Sequence, residues 1–176
     1  MDVLYPLPQR IANGAGETVG YLSQVVFPIR VKPAPESTDA RLSLDLFFAV
    51  CKDICIPAKA KSSLSLGPPS EASSDVEEVA KWVKRVPAPG RPVASVTAEA
   101  IGGQVLLVVK LVERASDIFV ESESAYYFRK PSFSSDGLEA KIAVEGLEDP
   151  QMLHGQSLKL TVATTGIALE QQVTVA

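Results

Sequence analysis

Cys51 and Cys55 are the two cysteines of this 176-residue chain, in the stretch Ala49-Val-Cys-Lys-Asp-Ile-Cys-Ile-Pro-Ala58. Thiols this close in sequence can close a short disulfide, offer two soft sulfur ligands to a metal, or exchange electrons with a partner thiol. A purely structural staple is the least useful of these, because so short a loop stabilises by only on the order of 2 kcal/mol. With 46% hydrophobic side chains the chain has core-forming residues to spare. Short loops also strain the bond, and strained disulfides are the reducible ones. Lys52 favours a thiolate at Cys51, and Asp53 works against it. The pair is not the Cys-x-x-Cys of a helix N-terminus. It follows a strand and precedes Ile56-Pro57, an arrangement suited to relaying electrons rather than to turning over many substrates alone.

Metal chemistry is the second use of the sulfurs. Zinc normally takes four ligands, and beyond the two cysteines the chain offers a single histidine, His154. Copper(I) needs fewer: two thiolates with Met152 or His154 would suffice, since soft sulfur selects it. A copper(I)-binding module is therefore an alternative, although a loop histidine is most simply a solvated side chain. No cofactor and no resident metal is expected otherwise. Gly14-Ala-Gly16 and Gly102-Gly103 lack the strand-to-helix setting of a phosphate loop and read as turns. There is no Gly-x-Ser-x-Gly elbow for a serine nucleophile. Glu77, Glu78, Glu121 and Glu123 read as solvated faces, and Tyr126-Tyr127-Phe128 as strand packing or an exposed aromatic patch.

A net charge of -4 with scattered lysines and arginines excludes a nucleic-acid footprint. No apolar run approaches the ~18 residues of a membrane span, so the chain is not expected to cross one. Its start, Met1-Asp-Val-Leu-Tyr-Pro-Leu-Pro8, has neither the basic nor the apolar region of a secretory leader.

The elements that must hold the cysteines have a period of two. Leu42, Leu44, Leu46, Phe48 and Val50 fall on one face of a half-buried strand, with Arg41, Ser43 and Asp45 opposite. Ala58, Ala60, Ser62, Leu64 and Leu66 alternate with Lys59, Lys61, Ser63 and Ser65. The two strands predict a hairpin with Cys51 to Pro57 at or near its tip. Upstream, 21–32 reads as a strand interrupted at Pro28. Gly67-Pro-Pro-Ser-Glu-Ala-Ser-Ser74 has linker composition. After it, Val76, Val79, Ala80 and Val83 mark one face of a helix with Trp82 near its edge, started by a Ser74/Glu77 capping box and stopped at Pro87-Ala-Pro-Gly90. Strands then return at 93–100, 104–113, 117–121, 126–129, 138–145, 157–163 and 167–175, separated by turn signals, a pattern for an antiparallel sandwich. The expected organisation is a lobe over 1–69 carrying the cysteines, a linker and helix over 70–91, and a second β-sandwich lobe over 92–176. The second lobe has no reactive residue of its own and is expected to serve packing or partner docking.

Around the cysteines the chain resembles a known family. Tyr21-Leu-Ser-Gln-Val-Val-Phe-Pro-Ile-Arg-Val31 and Leu44-Asp-Leu-Phe-Phe-Ala-Val-Cys-Lys-Asp-Ile-Cys-Ile-Pro-Ala58 are similar to the N-terminal periplasmic domain of DsbD-type protein-disulfide reductases. The similarity is greater to the ScsB-like branch, with its Val-Cys-x-x-x-Cys-x-Pro-Ala pattern. Asp117-Ile-Phe-Val-Glu121 and Tyr127-Phe128 followed by Pro131 also resemble that branch. The resemblance implies a mainly β, immunoglobulin-like fold and a periplasmic location. It further implies a thiol-disulfide oxidoreductase component whose cysteine pair takes electrons from a thioredoxin-fold or membrane-embedded partner and passes them to exported oxidised proteins. Only Cys51 and Cys55 match the family's redox pair; the match does not decide which of them attacks first, and Cys55 is taken as the relay thiol. Their three-residue spacing is shorter than in the DsbD domain itself. Relatives begin with more sequence, including an aromatic segment, so the first lobe is expected to leave a sheet edge uncovered. A non-catalytic interaction domain with a structural disulfide is the remaining alternative.

Overall fold

Alternating side chains and turn glycines make strands the main element among the described residues. The computed structural model describes residues 1–13, 16–32, 40–51, 54–66 and 75–176. The chain divides into two compact units, Met1–Lys84 and Arg85–Ala176. The linker 67–74, with Ser74 of the expected capping box, lies outside the described residues.

The first unit contains β1 (Asp2–Val3), β2 (Gln9–Asn13), β3 (Gly16–Gly20), β4 (Ile29–Arg30), β5 (Ala40–Cys51) and β6 (Cys55–Leu66), then the helix α1 (Asp75–Val83). The strands pair as three antiparallel ribbons, β1 with β4, β2 with β3, and β5 with β6. Of the strand expected over 21–32, only Ile29–Arg30 forms. Ser23 has a positive φ of 64° that turns the backbone, and Pro28 brings no N–H to a ladder. Phe27 instead sits edge-on to Tyr5 and Tyr21, at ring-centroid distances of 5.5 and 5.3 Å. The Tyr21 hydroxyl donates to the Pro6 carbonyl at 2.7 Å. An Arg10–Glu17 ion pair of 2.9 Å joins the β2 and β3 strands.

The helix also departs from expectation. Val76, Val79 and Val83, read as its buried face, are 54%, 40% and 44% exposed, while Trp82 is 8% exposed. Nine residues make two and a half turns, enough to anchor one large side chain. The indole takes that place, its Nε1 donating to Glu78 one turn back at 2.9 Å.

The second unit is a sandwich. Its strands are β7 (Ala88–Pro89), β8 (Val93–Ile101), β9 (Gln104–Leu111), β10 (Asp117–Glu121), β11 (Tyr127–Phe128), β12 (Ser132–Phe133), β13 (Glu139–Glu145), β14 (Ser157–Ala163) and β15 (Ala168–Thr174). One sheet runs β10-β14-β15-β7 and the other β11-β13-β9-β8, with β12 also on β13. All pairings are antiparallel except β15 with β7. Inward residues of both sheets, among them Val96, Leu107, Val109 and Ile142 from one and Ile118, Leu158, Leu160 and Val162 from the other, form one buried cluster. The Gln171 side chain ties the sheets together by accepting from the Val93 N–H at 3.0 Å and donating to its carbonyl at 3.3 Å. Gly90 follows the short parallel strand, where an added Cβ would stand 3.0 Å from Leu169.

Candidate functional site

The β5–β6 ribbon sets the position of the cysteines. Its register runs without a break from Ala40↔Leu66 to Cys51↔Cys55, so the two cysteines are the last rung before the turn. Their Cα atoms are 4.0 Å apart and their sulfurs are bonded at 2.06 Å. Directly opposed residues of an antiparallel pair come this close only at the narrow rungs of the ladder, so the strand pairing itself brings the sulfurs within bonding reach. Both cysteines are exposed. Lys52 and Asp53, expected to oppose each other at the thiol, lie outside the described residues.

Period two sorts the ribbon into two unlike faces. Leu42, Leu44, Leu46, Phe48 and Val50 stand across from Leu64, Ser62, Ala60, Ala58 and Ile56. The other face carries the disulfide, then the rungs Ala49/Pro57, Phe47/Lys59, Asp45/Lys61, Ser43/Ser63 and Arg41/Ser65. The strand expected to be half-buried is exposed along most of its length, with only Leu42 and Leu46 partly covered. On the disulfide face the Lys59 ammonium lies 6.0 Å from the Phe47 ring centroid, and Lys61 pairs with Asp45 at 2.9 Å. Phe47 itself is 68% exposed.

The residues offered for copper fall elsewhere in the chain. Met152 belongs to a 3-10 helix over Pro150–Leu153 in the second unit, and His154 is its C-cap. Among the described residues no group of three or more His, Cys, Asp or Glu is placed to hold a metal ion. Of the aromatic run, Tyr126 and Phe128 pack against the sandwich core, and Tyr127 is exposed with the Arg129 guanidinium 5.4 Å from its ring. Among the described residues no helix is long and apolar enough to cross a membrane. Sequence reading passed over the Phe47/Lys59 rung. The cue was present: 47, 49 and 51 continue the odd-numbered face that begins at Arg41.

Residues 85–176, just over half of the chain, match the family model described as "Domain of unknown function (DUF8393)". The chain belongs to this family. Residues 1–66 match the model described as "Thiol:disulfide interchange protein DsbD, N-terminal", and this part of the chain is a DsbD-type N-terminal domain. Its matched segment ends at the last residue of β6, so it takes in the whole cysteine ribbon. In fold the chain is similar to the crystal structure of the N-terminal periplasmic domain of ScsB from Proteus mirabilis. The TM-score is 0.71 at 21% identity, over 99% of this chain and 72% of that one. No curated protein matches the chain. The mainly β, immunoglobulin-like fold expected from the resemblance is the one observed.

Proposed function

We propose that the DsbD-type domain is a periplasmic thiol-disulfide exchange module in which Cys51 and Cys55 are the reacting groups. The observation that carries this reading is the exposed bond on the terminal rung of a two-stranded ribbon, inside the segment matched to the interchange family. Exchange needs an attacking thiolate in line with the S–S axis, and a bond at a ribbon tip can be approached without unfolding anything. A donor dithiol delivers one thiolate to the first sulfur, forming a mixed disulfide and releasing the other cysteine as a thiolate. The donor's second thiol then displaces the mixed disulfide. The donor leaves oxidised, and Cys51 and Cys55 hold two electrons and, once protonated, two protons. The reverse sequence on an exported protein's disulfide restores the Cys51–Cys55 bond. Cys55 is the favoured attacking thiol of that second half. Thioredoxin-fold or membrane-embedded proteins are the donors this reading calls for, and oxidised exported proteins the acceptors.

The reduction potential of the bridge tests the reading. A relay should equilibrate with glutathione or dithiothreitol at a potential above about -300 mV, whereas structural disulfides lie below that value. A lower potential would overturn it. In parallel, Cys51→Ala should leave Cys55 able to trap a mixed disulfide with a thioredoxin-fold protein more readily than Cys55→Ala leaves Cys51.

A further inference from the structure

Every charged side chain of β5 and β6 lies on the same face as the disulfide. Arg41, Asp45, Lys59 and Lys61 all occupy odd positions, as do Cys51 and Cys55, and the even face carries none. That face holds three cations against one carboxylate, in a chain whose net charge is -4. The exposed Phe47 ring has the Lys59 ammonium 6.0 Å from its centroid, and on the next rung of that face Lys61 is paired with Asp45.

Size makes this arrangement consequential. Four residues of strand from Cys51 to Phe47 span about 13 Å. A stable protein partner covers about 800 Å² on each side, a patch of roughly 16 Å radius. A protein whose thiolate reaches the disulfide at the ribbon tip therefore also covers the Phe47/Lys59 rung, and its rim approaches Lys61. We infer that this face is a docking strip for a protein thiol flanked by carboxylates, with Phe47 as its apolar anchor and Lys59 and Lys61 as its charge selectors. The inference rests on the exchange reading of Cys51–Cys55 and adds to it the chemistry of the partner. Like charge around the incoming thiol is repelled by the same lysines wherever it comes within about one Debye length of them, roughly 8 Å at physiological salt. Rejection of basic thiol proteins is therefore as much a product of the strip as attraction of acidic ones.

The test uses the whole chain in its oxidised form and three probes of known composition. These are two pentapeptides with a central cysteine, one flanked by four glutamates and one by four lysines, and uncharged dithiothreitol. Rates of bridge reduction are compared for the native chain, Lys59→Gln and the double variant Lys59→Glu/Lys61→Glu. Taking the ratio of acidic to basic peptide rates within each protein, and then comparing proteins, cancels the different thiol pKa values of the peptides. At low ionic strength this ratio should fall about tenfold or more from the native chain to the double variant, as expected for electrostatic steering, with Lys59→Gln between them. In about 0.5 M salt the three proteins should converge. Equal ratios in all three proteins at low salt would overturn the docking strip while leaving the exchange reading intact. So would a change that appears equally with dithiothreitol, because it would belong to the bond and not to recognition. Failure of dithiothreitol to open the native bridge would instead bring down the exchange reading, and the docking strip with it.

Discussion

Cys51 and Cys55 form the last rung of their ribbon and are both exposed, so burial does not protect the bond between them. The same logic, that a side chain's chemistry is set by the few groups in reach, applies to the carboxyl of Asp136. In the turn before β13, the Ser134 hydroxyl donates to Asp136 at 2.6 Å and the Leu138 N–H donates at 3.0 Å. These bonds, the hydroxyl's first, hold the carboxyl below its usual value by favouring the charged form. A carboxyl with a depressed folded-state pKa adds stability that is present above the unfolded value and is lost as pH falls through the folded one. Ser134→Ala should therefore raise the Asp136 pKa toward the ordinary aspartate range, so that the increment is missing at neutral pH and the group's share of the acid-induced loss of stability shrinks. Carbon-detected NMR titration of the Asp136 carboxyl reads the shift directly. An unchanged pKa would mean that the backbone donor alone sets it.

Turns decide the elements. Gly102 and Gly103 join β8 to β9 with φ values of 61° and 79°, the left-handed pair that a two-residue hairpin loop requires. An added Cβ at Gly103 meets no atom within 4 Å, so Gly103→Ala tests conformation alone. It should cost roughly 1 to 2 kcal/mol, read as a lower urea midpoint with an unchanged slope. Such turn signals also explain what was legible. Strands 117–121 and 157–163 were read to the residue, and 93–100, 104–113, 126–129, 138–145 and 167–175 to within two at either end. Both faces of the cysteine ribbon and its tip were legible from period two. The two-residue strands β7 and β12 were not, since two residues carry no period. Nor was the β2–β3 ribbon, whose strands include polar Gln9, Arg10, Glu17 and Thr18 without a clean alternation. For α1, amphipathic spacing announced a helix correctly. It misjudged the buried face because spacing does not say which surface, if any, the rest of the fold offers.

At the scale of the whole molecule, stability and reactivity reside in different places. The buried cluster draws its residues entirely from the second unit, with Leu107, Leu158 and Leu160 sealed from solvent between two sheets. The cysteine ribbon has the opposite character. Leu44, Phe48, Val50, Ile56 and Leu64 remain exposed on its apolar face, and a lone two-stranded ribbon is marginal in water. Local openings should therefore be cheap at β5 and β6 and expensive at β9, β13 and β14. Hydrogen exchange should show the ribbon amides exchanging far faster than those of the sandwich. Truncating the sandwich core separates the two properties. Leu160→Ala removes a fully buried side chain and should destabilise the second unit by about 2 to 5 kcal/mol. It should speed exchange across β9, β13 and β14 while leaving both the ribbon's exchange and the rate of bridge reduction by dithiothreitol as they were. If Leu160→Ala instead accelerates ribbon exchange and bridge reduction in the same proportion, the redox rung opens only when the sandwich does. Access to Cys51 and Cys55 would then be governed by global unfolding and not by the ribbon's exposed tip.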